Sequence, residues 1–350
     1  MKTNSGNFFE DFRLGQKLVH ATPRTLTDGD RALYTALYGS RFVLQSADSF
    51  AQIYGYPKSP LDDLLVFHTV FGKSVPDISL NAVANLGYAE GRFLKPVYAG
   101  ATLSAVSEVI GLKENSNKQT GVVYVRTQGF DEKGEAVLSY VRWVMVRKRD
   151  AAAPVGEAVV PKLADVVPAD QLVSPRAANF DGFDCAQSGC GHLWDDYAAG
   201  EKIDHVDGMT VEEAEHMMAT RLYQNTARVH FNQFSEGKGR FGRRLIYGGH
   251  VISLARALSF NGLTNAFTIA AINGGRHVNP LFAGDTVFAW SEVLDKQALH
   301  GRKDVGALRL RLVATKNLPC DAFPDKDGEG KYPDNVILDF DYWALMPRKV

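Results

Sequence analysis

The sequence predicts an α+β fold built twice: two antiparallel sheets, each wrapped around one central helix and joined into one extended sheet. Three observations lead there. The chain repeats itself, each copy holds one longer apolar helical stretch, and strands alternating at period two follow that stretch.

The repeat is legible residue by residue. Phe9-Glu10-Asp11-Phe12, followed by Gly15, Lys17 and His20, returns as Trp194-Asp195-Asp196-Tyr197, followed by Gly200, Lys202 and His205. The shift is 185 positions (194 minus 9) and persists through Thr25/Thr210, Leu37/Leu222 and Tyr38/Tyr223. It becomes 182 at His68/His250 and 184 at Arg92/Arg276, Pro96/Pro280, Gly100/Gly284 and Thr102/Thr286. Trp143 meets Trp343 at a shift of 200, the surplus lying in Leu318 to Asn335. That Pro/Asp/Gly/Lys-rich insertion is expected to form a long hairpin loop. The copies are placed at 1–149 and 189–350. Between them, 150–188 carries prolines at 154, 161, 168 and 175, which forbid a long helix or central strand and predict an extended connector along the surface.

Within a copy the order is a short strand, an irregular helical segment, the apolar helix, then several strands. In the second copy the helix starts near Gly249, with Val251, Leu254, Ala255 and Leu258 at i, i+3, i+4, i+7 spacing. Its counterpart runs from about Leu64 through Phe71. Ala307 to Leu312 alternates apolar and charged residues, Val122 to Arg126 less cleanly; Glu135 to Arg147 and Val336 to Met346 are the expected last strands. One helix followed by an antiparallel meander must bury that helix against the concave face of the sheet.

At 350 residues, with 45% apolar and 23% charged content, the chain can bury a sizeable core. A formal net charge of −1 gives no electrostatic reason to expect nucleic acid or an anionic membrane as partner. Three cysteines, Cys185, Cys190 and Cys320, cannot build a disulfide framework, which points to a reducing compartment. Cys185 and Cys190 near His192 lack the second ligand pair of a metal site. Residues 1–6 lack the apolar core of a signal peptide, and no apolar run is long enough to span a bilayer. The cytoplasm is the expected location. No glycine-rich dinucleotide loop or P-loop is present.

Chemistry concentrates in the second copy. Tyr223 to His230 presents Asn225 and an imidazole five positions apart, and Tyr247-Gly248-Gly249-His250 offers free N–H groups where a helix begins. The first copy has Ser40 and Gln45 at the positions of Asn225 and His230, neither a base.

Arg276-His277-Val278-Asn279-Pro280-Leu281-Phe282-Ala283-Gly284-Asp285-Thr286-Val287 and Arg92-Phe93-Leu94-Lys95-Pro96-Val97-Tyr98-Ala99-Gly100-Ala101-Thr102-Leu103 resemble the strand signature of MaoC-like hot-dog dehydratases and hydratases. Gly248-Gly249-His250 resembles the family's His-Gly-Met turn in reordered form. The resemblance covers both copies, so it implies a double hot-dog. Its whole-chain pattern is most similar to members that hydrate a branched, unsaturated C5 dicarboxylic CoA thioester.

The R-specific enoyl-CoA hydratases of this family carry Asp-x-Asn-Pro-aliphatic-His. Here the matching positions are Asn225, Thr226, Ala227, Arg228, Val229 and His230, so the aspartate has become an amide. The resemblance implies His230 as base for water and Asn225 as a group orienting that water through its carbonyl or its amide. N–H groups of Gly248, Gly249 or His250 would hold the thioester oxygen. Arg228 is expected to pair with the substrate's free carboxylate, with Tyr223 and His250 also on the substrate side. Glu236 or Asp48 are the rival sources of an acid. Lys238, Arg240, Arg243 and Arg244 are either a solvated loop or a grip on the phosphates of coenzyme A. His20, His205, Arg92 and Arg276, repeated in both copies, are expected to serve the fold, as are His68 and His250 on the competing reading of the latter. The expected ligand is a CoA thioester, with no metal or redox cofactor, and the family implies a homodimer. A plain enoyl-CoA hydratase, a thioesterase and a non-catalytic acyl-CoA binder are the alternatives.

Overall fold

The computed structural model describes residues 2–349. The strands are β1 (Lys17–Thr25), β2 (Ala82–Phe93), β3 (Thr102–Glu114), β4 (Thr120–Phe130), β5 (Ala136–Arg147), β6 (Lys202–Asp204), β7 (Met209–Thr210), β8 (Thr268–His277), β9 (Thr286–Ala298), β10 (Val305–Lys316) and β11 (Val336–Pro347). They form one sheet in the order β1-β3-β4-β5-β2-β8-β11-β10-β9-β6, with β7 also on β9. The second five are the first five in reverse, so a pseudo-two-fold axis passes between β2 and β8. That seam is an antiparallel ladder pairing Tyr88 with Gly275, Ala89 with Gly274 and Arg92 with Ala271. The α+β architecture expected from the repeat is the one that forms.

The ladders also fix which residues of the two halves correspond. Gly87 lies opposite Trp143 and Ala271 opposite Trp343; Asn85 lies opposite Val144 and Ile269 opposite Ala344. The shifts of 184 and 200 thus hold in the sheet as well as along the chain. Leu318 to Asn335 falls between β10 and β11, tied down by Arg311, which donates to Asp325 and Asp339 at 2.6 and 3.0 Å.

The central helices are Asp63–Ser74 and Gly248–Leu258. Nearly every residue of both is buried, because the sheet curls around one side and the other half covers the rest. Their contact is built on the pseudo-symmetry. Tyr38 packs on His250 (ring centroids 5.1 Å) and its counterpart Tyr223 packs on His68 (4.9 Å), while the two hydroxyls hydrogen-bond at 2.8 Å on the axis. Each half therefore closes the other's core. His20 and His205 act alike as pins, bonding Ser107 and Ser291 at 2.7 and 2.8 Å.

The stretch between the halves lies against the back of the sheet. Val167 donates its N–H to Asn273 Oδ1 and accepts from Trp343 Nε1, and Phe180 donates to Asp304.

One glycine sets how closely the halves approach. A Cβ on Gly72 would overlap the Tyr223 carbonyl oxygen and come within 3.5 Å of the Asn225 nitrogen. Because the obstacle is backbone, Gly72→Ala is expected to cost about 1–3 kcal/mol and to shift the loop that precedes His230. Urea unfolding reads the first effect, and a fall in turnover beyond the loss of folded protein reads the second.

Candidate active site

His230 stands on a short helical turn, Arg228–Phe231. The chain swings into it from helix Glu213–Leu222 through Gln224, whose φ of 52° is left-handed. Asn225 then starts the turn, its Oδ1 accepting the Ala227 N–H at 3.0 Å. One lone pair of the Asn225 carbonyl is thus used by backbone, and its amide nitrogen makes no hydrogen bond among the described residues.

The His230 ring is fixed at one nitrogen. Nδ1 lies 2.9 Å from the Leu245 carbonyl oxygen, which only accepts, so Nδ1 carries the proton and Nε2 keeps its lone pair. The ring faces Tyr247 at 5.3 Å and stands perpendicular to His216 at 6.1 Å. Burial lowers its pKa to about 4, against the opposing pull of the Leu245 carbonyl. His216 is held by the Tyr247 N–H, which donates to its Nε2 at 2.9 Å. Burial first, then the His230 and His250 rings, lowers His216 to about 2. The imidazoles around the site are therefore neutral at working pH.

Just beyond Leu245 the second central helix begins without a side-chain cap at Tyr247. The N–H groups of His250 and Val251 turn back to the Tyr247 carbonyl at 2.9 and 3.4 Å. Among the described residues those of Gly248 and Gly249 have no acceptor, which leaves two donors at the positive end of the helix. His250 is thus removed from the expected set, since the first turn of its own helix uses its N–H. Glycine is required at both positions. A Cβ on Gly249 would lie 2.6 Å from His68, and one on Gly248 would fall on the His277 ring.

The first half has the opposite arrangement. Its helix start is filled by Asp62, which accepts the Leu64 N–H at 2.9 Å, and Asp63, which accepts the Ile269 N–H at 2.8 Å. In place of the imidazole, Gln45 donates Nε2 to the Phe267 carbonyl at 2.7 Å. The start of the first-half helix thus carries two carboxylates, whereas the first turn of the second-half helix carries none.

Comparison with known proteins gives the family. The family model described as mesaconyl-CoA hydratase matches residues 2–321. The chain belongs to the mesaconyl-CoA hydratase family. Within that family it is 65% identical to the β-methylmalyl-CoA dehydratase of Chloroflexus aurantiacus over 99% of both chains. It is 63% identical to the mesaconyl-CoA hydratase of Cereibacter sphaeroides over 99% of this chain and 100% of that one. A crystal structure of a MaoC domain protein dehydratase from Chloroflexus aurantiacus superposes with a TM-score of 0.98, at 64% identity and full coverage of both. A Mycobacterium tuberculosis protein described as a double hot-dog gives 0.77 at 26% identity, covering 98% of this chain and 99% of that one. Family membership makes the chain a double hot-dog hydro-lyase.

Other residues expected at the hydratase site are dispersed. Tyr223 and His250 are buried between the halves, Tyr223 bonded to Tyr38 and Tyr38 in turn 3.1 Å from His250 Nδ1. They hold the seam rather than line an opening. Arg228 is exposed, and its side chain makes no hydrogen bond among the described residues. Arg244 pairs with Glu213, while Lys238, Arg240 and Arg243 are exposed and lie over the rings of Phe234, Phe241 and Phe282 at 4.5, 5.1 and 4.1 Å. Asp48 accepts from the Ser59 N–H and from Arg31 at 3.0 and 3.1 Å; these bonds, Ser59 first, lower its pKa to about 2, so it has no proton to give near neutral pH. Among the described residues the Glu236 carboxylate accepts only from its neighbour Ser235.

Two residues at the site were missed: His216 and His277. The signal for the two histidines was the one that singled out His230. His216 corresponds to Arg31 (216 minus 185) and His277 to Phe93 (277 minus 184), so neither imidazole is shared by the first half.

Proposed function

We propose that this protein reversibly hydrates mesaconyl-CoA (2-methylfumaryl-CoA) to β-methylmalyl-CoA, with His230 as the sole carrier of the transferred proton. The observation that carries this reading is the pairing, in one half, of an imidazole with a free Nε2 and an uncapped helix start. The other half has an amide and a carboxylate cap instead.

Nε2 of His230 takes a proton from water as its oxygen bonds to the carbon bearing the free carboxylate. The π electrons move toward the thioester, and the enolate oxygen is held by the N–H groups of Gly248 and Gly249. The enolate then collapses and takes the proton from His230 at the α-carbon, so one water is added and the ring returns to its starting form. No separate carboxylic acid is needed, which fits an amide at position 225. An imidazole with a pKa near 4 is a weak base alone. An anionic substrate beside it favours the protonated form and raises its basicity, so a dicarboxylic thioester suits this site better than a simple enoyl chain.

Incubation with mesaconyl-CoA in ¹⁸O-labelled water tests the reaction: a hydrated thioester carrying the heavy oxygen is expected. Labelled free acid with release of CoA, or no labelled product, would remove the hydratase reading.

Coenzyme A reaches the site past the exposed cations of the preceding loop. Neutralising Arg240 and Arg243 together is expected to raise KM about tenfold with kcat within twofold, since phosphate contacts are made equally in ground and transition states. An unchanged KM would return these arginines to the solvent.

A further inference from the structure

A narrow cavity in the first half has Gln45, Phe93 and Ile269 in its wall, the last contributed by the other half. The correspondence of the halves carries this trio onto the working site. Position 45 maps to 230, position 93 to 277, and 269 to 85, the last fixed by the matching ladders of Asn85 with Val144 and Ile269 with Ala344. Gln45, Phe93 and Ile269 therefore become His230, His277 and Asn85. An amide and two apolar side chains have been exchanged for two imidazoles and an amide.

The seam brings Asn85 to His277 independently of that mapping. The ladder ends at Tyr88 opposite Gly275, so Asn85, three residues before the one, and His277, two residues after the other, lie just past the same end of the seam. The Tyr88 ring stands edge-on to His277 at 6.1 Å. Asn85 shares the helix-facing side of the sheet with its partner Val144, which is fully buried. His277 lies against Gly248 and within electrostatic range of His230.

Both polar atoms of Asn85 and Nε2 of His277 are buried without a hydrogen-bond partner. Buried polar atoms are nearly always paired, and three orphans at one site ask for a ligand. Asn85 has both a donor and an acceptor to fill. A carboxylate alone cannot satisfy it, whereas a carboxylate next to a hydroxyl can.

We propose that Asn85, supplied by the half that has no base, reads the substrate end where water adds. Its Nδ2–H donates to the free carboxylate, and its Oδ1 accepts from the attacking water, which becomes the product hydroxyl. Nε2–H of a neutral His277 donates to the same carboxylate. The role left open by the exposed Arg228 is filled from across the seam, and Asn85 sets the preference for dicarboxylic over simple thioesters. This rests on the hydratase reading above.

The test uses two saturated thioesters that cannot be hydrated: methylsuccinyl-CoA, with the free carboxylate, and 2-methylbutyryl-CoA, without it. Asn85→Ile installs the residue of the first half. It is expected to weaken methylsuccinyl-CoA about 10–100-fold and to leave 2-methylbutyryl-CoA within about twofold. Asn85→Asp, nearly isosteric, should weaken the charged ligand at least as much by like-charge repulsion. Retained binding of the uncharged ligand certifies the fold in each variant. Equal losses on both ligands, or none on methylsuccinyl-CoA, would overturn the assignment. Parent turnover of mesaconyl-CoA is measured alongside. If it is absent, the hydratase reading falls and takes this one with it; if it is present while Asn85→Ile shows no discrimination, only the role of Asn85 falls.

Discussion

Replacing His230 with glutamine lowers kcat for mesaconyl-CoA hydration by about 10²–10⁴-fold, the range of a lost general acid–base group, and leaves KM within a few-fold. Glutamine is the informative choice because the first half already uses it at this position. Gln45 donates to the Phe267 carbonyl at 2.7 Å, and a glutamine at 230 can donate to Leu245 in the same way. The turn and the mouth of the site are then preserved, and the loss is chemical. If His230 both accepts the proton from water and delivers it to the α-carbon, the variant also loses exchange of the product's α-proton with deuterated solvent. Stopped assays and mass analysis of exchanged product check both effects. A variant within tenfold of the parent, or one that exchanges normally, would assign the proton to another group.

Much of the fold was legible in the chain because a duplication is its own alignment. Matched residues such as Trp143 and Trp343 occupy matched ladders, and the insertion from Leu318 to Asn335 falls between strands as its composition required. The chemistry was less legible, for two reasons. His277 lies in a strand whose repeat partner Phe93 is apolar, so by pattern it looked like another sheet residue. Asn85 belongs to one half but faces the site of the other, and only the ladder from β2 to β8 reveals that exchange. The bond from the Ala227 N–H to Asn225 was hidden as well. An asparagine before a helical turn is a common cap, yet the family motif drew attention to its chemistry instead. In each case the sequence names the residue and backbone geometry decides which of its atoms remains free.

Acidification from pH 6.5 toward 4.5 destabilises the protein steeply, before the paired surface carboxylates matter. His68, His205, His216 and His250 are essentially inaccessible to solvent. Burial is the first cause in each case, lowering their pKa values to about 3, 4, 2 and 3. In the unfolded chain each titrates near 6.5. Below that value the unfolded state binds protons that the folded state refuses, so stability present above pH 6.5 is lost as the pH falls toward the folded values. Asp63 works in the other direction. Burial, then Asp62, raises it to about 8, so the folded state holds a proton there that the unfolded chain has shed. It offsets about one histidine, and Asp62, raised by burial, offsets part of another. His230 and His277, lowered by burial to about 4, add to the count, so a net difference of about four protons remains, worth about 5–6 kcal/mol per pH unit between roughly pH 5.5 and 4.5. Urea unfolding at pH 7, 5.5 and 4.5 measures that slope, and His250→Phe should reduce it by about one proton. A flat dependence across this range would mean that these imidazoles are hydrated or paired in solution. His68 and His250 sit where the two halves meet and His216 supports the turn beside His230, so the same protonation that unfolds the chain first loosens the seam that delivers Asn85 to the site.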